Sequence, residues 1–581
     1  MLKNAETFSR PVRNFLPADF TCESYEAIRP FAESLLDRLL SDANSLRQWL
    51  RDRSELESAV AEDLGWRYIR MTCFTENEEY QKSYSFFIEE IQPHLAPVTD
   101  RLNRKVLDSP VLEELEREED FSILIRTLKK DVETFREENV PLFTEINRLT
   151  QRFSQISGAM TVWVDGKELT LQQASVILQE TDRTRREMVW RKITERRMND
   201  RDELDDIFTR LVRLRHQVAL NAGFENFRDY MFKALGRFDY SPVDCRDLHE
   251  SVAAEVVPLL DRMSERRKSE LAVDDLRPWD KAVDSLGRAP LKAFDDGHDL
   301  LEKSIRAFHR LDPFLGECLK VMKEMGRLDL VSRKGKAPGG YNYPLAETGV
   351  PFIFMNATST LRDLTTLMHE GGHAVHNFLT HDLELADFKS PPMEVAELAS
   401  MSMELISMDT WDIFFTSAED LARARTEQLE DILETLPWVA TIDAFQHWIY
   451  EHPDHTAEER RIRWNEISSR FTDQVTDWSG LEEARDYLWQ KQLHLFEVPF
   501  YYIEYGMAQL GAVAIWRNYR RDSADALRCY KEALALGYRR TIPDIYRTAG
   551  ISFGFQTGYI RELMSFVWKE LDSAASAPAQ Q

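Results

Sequence analysis

Residues 366–380 read Thr-Leu-Met-His369-Glu370-Gly371-Gly372-His373-Ala-Val-His376-Asn-Phe-Leu-Thr380, a stretch that contains an H-E-x-x-H motif. On a helix the two histidines stand four residues apart and project from one face, so both can reach a single Zn2+ ion. Glu370 then sits beside the ion's open position, where a carboxylate can take a proton from a zinc-activated water. The surroundings supply the helix. Asn356-Ala-Thr-Ser-Thr360 is a start signal, and Thr360 with Asp363 has capping-box spacing. Leu361, Leu364, Leu367 and Met368 form an apolar stripe that His376 and Phe378 continue, and the helix should end near Thr380 to Asp382. Two adjacent glycines inside a helix cost about 1 kcal/mol each against alanine. Close approach of another backbone, an edge strand or a substrate, is the expected compensation.

Such a site needs a third protein ligand. The position ten residues after His369 is Leu379, so no third histidine stands there. The segment Pro391-Pro-Met-Glu394-Val-Ala-Glu397-Leu-Ala-Ser400-Met-Ser-Met-Glu404 offers carboxylates instead. They lie at i, i+3 and i+10, near one face of an otherwise apolar helix. An unpaired charge is costly to bury there, and a metal removes that cost. Spacing alone leaves Glu394 and Glu397 equally placed.

Most of the remaining chain reads as long amphipathic helices, with residues 34–53, 182–224 and 251–272 as continuous examples. Strand signals are few. Met160-Thr-Val-Trp-Val164, Asp165-Gly166 and Lys167-Glu-Leu-Thr170 read as a β-hairpin with a type I′ turn, and Thr170 can cap the helix that follows. A second strand-like run is Gly349-Val-Pro-Phe-Ile-Phe-Met355, which Pro351 demotes to an edge strand. Residues 332–340 form a breaker-rich loop that marks a change of lobe. The chain divides into an N-terminal helical lobe over 1–195 with the hairpin near 160–170, a catalytic region over 196–572, and a disordered tail over 573–581.

The 581 residues include 74 basic and 100 acidic side chains, a net charge of −26. That balance argues against nucleic acid or an anionic membrane as a partner, since both need a basic face. Five cysteines (Cys22, Cys73, Cys245, Cys318, Cys529) stand far apart without a C-x-x-C, as in a reducing compartment. Residues 1–20 carry charges throughout, so no signal peptide is expected. No apolar run approaches a membrane span. A cytoplasmic monomer or small homo-oligomer is the expectation.

The run from His369 to His376, followed by Ala396-Glu397-Leu-Ala-Ser400 and Glu404, resembles the oligoendopeptidase F and thimet oligopeptidase family of zinc peptidases. Residues 170–193, residues 213–230 and Gly339-Gly340-Tyr341 are similar to that family too. The resemblance covers most of the chain from about Phe153 onward and, more weakly, the first 150 residues. It implies a mainly α, two-lobed, zincin-type metallopeptidase with a small β-sheet near the active site. It also implies a central substrate channel that admits short unfolded peptides. One Zn2+ per chain would be held by His369, His373 and Glu397, because the family's third ligand sits in its Glu-x-x-Ser element. Glu404 maps to a carboxylate behind the ligands, and Gly339, Gly340 and Tyr341 map to a substrate-binding loop. One departure is Gly371, where relatives usually carry a bulkier residue. It bears on packing and not on the ligands.

Zinc-assisted peptide hydrolysis develops an oxyanion that neutral O–H or N–H donors stabilise. The segment His494-Leu-Phe-Glu-Val-Pro-Phe-Tyr501-Tyr502-Ile-Glu-Tyr505-Gly506 supplies them, with Tyr502 and Tyr505 adjacent on one helix face. The resemblance assigns such tyrosines, and an upstream histidine like His494, to substrate and oxyanion contacts. The expected catalytic set is therefore Glu370, Tyr502, Tyr505 and His494. His376 reads as packing behind the metal and His381 as a helix-end residue. His447, His452 and His455 read as structural or solvated, because Pro453 breaks their common helical face. Gly550-Ile-Ser552-Phe-Gly554 matches the G-x-S-x-G elbow, but that elbow needs a preceding strand and a later histidine, and His494 is the last in the chain. The expected activity is hydrolysis of internal bonds in short unstructured peptides. Release of C-terminal dipeptides from the same site is one alternative. A non-catalytic peptide-binding scaffold is another; it calls for a missing ligand or base, and none is missing.

Overall fold

In the computed structural model, which describes residues 12–575, 69 % of the chain is helical. Residues 1–11 of the segment read as lacking a signal peptide lie outside the described residues. So do residues 576–581 of the expected tail, whereas 573–575 continue the last helix, Thr557–Ala575. Among the described residues no helix is long and apolar enough to cross a membrane.

The three stretches expected to be continuous helices each break into two. Residues 34–53 divide between Tyr25–Asp37 and α1 (Ala43–Cys73), where Asp42 and Ser45 form a reciprocal cap. Residues 182–224 divide between Arg183–Met198 and Arg201–Asn221, and residues 251–272 between α2 (Pro242–Glu255) and Val257–Glu270. In the last case Pro258, in the first turn of the second helix, has no N–H to continue the first. At the first break Asp42 and Ser45, which periodicity assigns to a solvated face, serve as caps.

The expected hairpin is present. β1 (Thr161–Val164) pairs antiparallel with β2 (Lys167–Thr170), and Asp165 and Gly166 both have positive φ, as a type I′ turn requires. Thr170 caps the next helix. The second sheet contains β3 (Leu328–Val331), β4 (Tyr341–Tyr343) and β5 (Phe352–Ala357) in the order β3-β5-β4. β5 is therefore the central strand, parallel to β3 and antiparallel to β4, and not the edge strand that Pro351 suggested. The proline stands one residue before the strand begins, so it removes no donor from the ladder.

Two lobes follow from two apolar cores. The first gathers Leu16 to Leu128 with Leu385 and Phe388, and the larger one starts at Ile146. α1 ties the first core to the sheet: Trp49, Leu50 and Leu56 lie in that core, while Ile69 and Cys73 pack on Leu345 and on Phe352 and Phe354 of β5. A buried Arg13–Glu347 pair at 2.6 Å and the Glu62 carboxylate, which accepts from the Thr348 backbone at 2.7 Å, fasten the same junction.

The larger core holds α3 (Leu361–Thr380), α4 (Met393–Ser407), α5 (Ala418–Glu451) and α6 (Tyr502–Arg521). α4 lies between α3 and α6 and is almost wholly buried, with Val395, Leu398, Met403 and Ile406 at 0 % exposure. Each such side chain stabilises the core by about 1.5–3 kcal/mol. Carboxylates on this helix are accordingly forced into the interior, and each must find a partner there.

Candidate active site

α3 starts where the sequence places it. Thr360 accepts from the Asp363 backbone N–H while the Asp363 carboxylate accepts from Thr360, and the helix ends at Thr380 with His381 as its cap. The glycines do serve close approach, but to α4 and a phenyl ring, neither an edge strand nor a substrate. A Cβ on Gly372 would stand 2.6 Å from Ser400 Cα and 2.7 Å from the Ala399 carbonyl oxygen. A Cβ on Gly371 would meet the Phe308 ring at 2.6 Å, so Phe308 fills the space that a bulkier residue would occupy.

This contact brings the α4 carboxylate to the α3 histidines. Nε2 of His369 is 3.3 Å from Oε2 of Glu397, and Nε2 of His373 is 3.7 Å from the same oxygen. Ligand atoms about 2.0–2.1 Å from a tetrahedral ion stand roughly 3.3 Å apart, so the three donors fit one zinc. The structure also breaks the tie between the glutamates. Glu394 is held away by the Tyr240 hydroxyl, which donates to its carboxylate, while Glu397 faces the histidines.

Surrounding groups orient the three donors. His369 Nδ1 is 2.7 Å from Glu404 Oε1, which leaves Nε2 for the ligand direction, and Gln428 donates to the other Glu404 oxygen at 2.9 Å. His373 is hydrogen-bonded to the backbone at Ala396. Ser400 Oγ donates to Glu397 Oε2 at 3.1 Å and Tyr501 OH to Oε1 at 2.9 Å. Burial opposes charge on His369, but the hydrogen bonds to Glu397 and Glu404 outweigh it and raise its pKa well above the ordinary value. Burial lowers His373 to about 4. Glu397 is held down to about 2, since the hydrogen bond from His369 and the charges of both histidines overcome its burial.

Glu370 is buried beside these donors, and burial pushes its carboxyl up to about 7. Asn342 on β4 secures it, with a backbone hydrogen bond to the carboxylate and a side-chain amide that donates to the Glu370 carbonyl at 3.2 Å. The small sheet thus supports Glu370 directly.

Across from the histidines lies an aromatic cluster. The His494 ring lies 5.9 Å from Tyr501, 4.8 Å from Tyr502 and 5.8 Å from Tyr505. Its Nδ1 is 2.7 Å from the Gln492 amide, and burial lowers its pKa to about 4. Burial raises Tyr502 to about 12 and also raises Tyr501 and Tyr505, so all three are neutral donors. Phe500, just before them, is a bulky residue with φ of +68°. Such a conformation costs on the order of 1–3 kcal/mol and persists where neighbours over-determine it. Arg237 donates to the Phe500 carbonyl and Gln446 accepts from its N–H, and the chain is thereby turned into α6 with Tyr501 aimed at Glu397.

The other expected positions fall around this centre. His376 is buried on α3 one turn beyond His373, hydrogen-bonded to the backbone at Leu534, and burial lowers its pKa to about 3. Gly339, with φ of +99°, offers its carbonyl to the Asn356 amide, and Gly340 passes close to β5. The Tyr341 ring stacks on Phe354, and its hydroxyl shares a hydrogen bond with Thr72 on α1. Ser552 follows a helix, Ile542–Thr548, and not a strand, so the elbow context is absent there. Sequence reasoning missed Asn342 and Gln428, and it ranked Tyr501 below its neighbours. Asn342 adjoins a residue already singled out, whereas nothing local marks Gln428, which lies on α5.

A cavity of about 950 Å3 is lined among others by Asp431, Trp438 and Lys491, and by none of His369, Glu370, His373, Glu397, His494, Tyr502 or Tyr505. Trp438 donates to Gln492, the residue that holds His494, and Tyr502 contacts both Trp438 and Gln492.

The chain is also similar to known proteins. Oligoendopeptidase F (plasmid) of Lactococcus lactis subsp. cremoris is 24 % identical over 338 residues, covering 57 % of this chain and 54 % of that protein. An oligoendopeptidase F homolog of Borreliella burgdorferi is 22 % identical over 442 residues, 73 % of this chain and 72 % of the relative. The chain spans about half the length of several of the curated relatives it matches. The solved structure of PZ peptidase A with inhibitor 2 superposes with a TM-score of 0.89 at 26 % identity, covering 96 % of this chain and 99 % of that one. The Peptidase M3 N-terminal domain model matches residues 15–135, over the first lobe. The Peptidase family M3 model matches residues 176–289 and 316–565, a span that includes every donor described above, and the chain accordingly belongs to peptidase family M3.

Proposed function

We propose that this protein hydrolyses internal bonds of short unstructured peptides with one zinc ion held by His369, His373 and Glu397. The observation that carries the reading is the convergence of three donor atoms from two helices, with an orienting carboxylate behind one of them. Membership of peptidase family M3 supports peptidase activity on oligopeptides. The chemistry that zinc supplies at such a site is Lewis-acid polarisation of a carbonyl and acidification of water.

The chain's own residues do the rest. Glu370, raised to about 7, takes a proton from water at its carboxylate and passes it to the leaving amine nitrogen. Asn342 keeps that carboxylate in place. Tyr502 and Tyr505 present neutral hydroxyls to the scissile carbonyl oxygen, and His494 packs against both. Tyr501 orients Glu397. The outer edge of β4 has no strand partner among the described residues, so an extended peptide can lie along it. The 950 Å3 cavity that Trp438 lines has room for a few residues of extended chain leading toward Tyr502.

The test is cleavage of internally quenched peptides of graded length, with products mapped by mass. Internal cleavage that stops with a chelator and returns with Zn2+ is the expected result. Exclusive release of C-terminal dipeptides would replace the endopeptidase reading, and no cleavage by folded, zinc-loaded protein would end the catalytic one.

A further inference from the structure

A second group of ligating side chains lies in the interior, away from the H-E-x-x-H helix. Cys245 and His249 are four apart on α2, and Asp443 and His447 are four apart on α5. The two helices pack side by side, so the two pairs face each other. His249 Nε2 is 2.9 Å from Asp443 Oδ2, and His447 Nε2 is 3.2 Å from the same oxygen. Ligand atoms of Cys245, Asp443 and His447 all lie within 4.8 Å of one another; His249 stands outside that trio and reaches it through Asp443, so it would have to shift toward an ion to ligate it. These separations are of the same order as those between zinc ligands in the first site.

Polar atoms at this place are left over after the two histidine–Asp443 contacts. Asp443 is at 0 % exposure, yet its Oδ1 has no hydrogen-bond partner among the described residues, and neither has Nδ1 of His447. A buried ionised carboxylate demands a countercharge. The neighbouring Arg237 does not provide one, because it is committed to Glu504 at 2.9 Å and to the Phe500 carbonyl. Aromatic rings close the surroundings: Phe232 and Phe500 flank His447, and Phe471 lies against His249.

We infer that Cys245, His249, Asp443 and His447 form a second, structural zinc site that clamps α2 to α5. One thiolate, one carboxylate and two imidazoles make a four-ligand set of the kind that closed structural zinc sites use, and the two anionic ligands balance the ion's charge. Sealed from solvent, the site leaves no open position for water or substrate. It would be filled as the chain folds.

Zinc per chain, measured by elemental analysis after expression and desalting, tests the inference. Two zinc ions are expected in the wild type and one in the His369→Ala/His373→Ala variant. The ion left in that variant should show a sulfur neighbour at about 2.3 Å in X-ray absorption at the zinc edge, since the first site contains no sulfur. Cys245→Ser should remove that ion or its sulfur signal. One zinc in the wild type and none in the double variant overturns the second site, as does a retained ion with only nitrogen and oxygen neighbours. One zinc in both would support the second site while sinking the first. The double variant decides the matter even where Cys245→Ser fails to fold.

Discussion

His369 and His373 on α3, and Cys245 and His249 on α2, are both pairs four residues apart on a helix, and each pair faces a carboxylate on a neighbouring helix. Their surroundings differ. The first pair has side chains 21 % and 17 % exposed, the Glu370 carboxyl raised to about 7 beside it and a row of neutral hydroxyls opposite. The second has His249, Asp443 and His447 at 5 %, 0 % and 6 %, with phenyl rings all round. Ligand geometry alone therefore does not make a reactive centre. What separates a reactive ion from a structural one is an open side, a poised base and donors aimed at the developing charge.

That contrast can be broken or sharpened by experiment. The largest effect should come from a brief chelator treatment, which is expected to abolish peptide cleavage while about half the zinc stays bound; complete loss of zinc along with activity would erase the distinction. Glu370→Gln should lower kcat/KM by roughly 10³–10⁴-fold with zinc content unchanged, as loss of a general base does. Tyr505→Phe should cost about 10²-fold in kcat with little change in KM, because its hydroxyl acts on the developing oxyanion; an effect confined to KM would make it a binding residue only. Glu404→Gln should weaken zinc at the first site by about 10–100-fold, measured by competition with a fluorescent chelator. Gly372→Ala should lower stability by about 1–3 kcal/mol through overpacking and weaken the first site's zinc, leaving the second's in place.

How much of this was readable beforehand depends on the range of the interactions. α3, its cap and its end are local, and Thr360, Asp363 and Thr380 announce them. The hairpin is local too, fixed by Asp165-Gly166. Glu394 and Glu397 could not be separated, because three residues on a helix differ little in direction and the choice rests on Tyr240, more than 150 residues away in sequence. Pro351 misled because its effect depends on where the strand begins, to the residue. The α2–α5 cluster was missed for the same reason as Gln428. His447 stood out only beside His452 and His455, which pack against Trp448 at the helix end. Its true companions lie nearly 200 residues upstream.

Gly372 gives the first site its dimensions without touching a ligand. The separation between histidines and glutamate is set by how closely two backbones meet, and a single hydrogen atom is what fits between them. No substitution can enlarge this position and keep the spacing, so it has no neutral alternatives in sequence space. A residue with no side chain is then among the least replaceable parts of the protein, and a search for functional groups would pass over it.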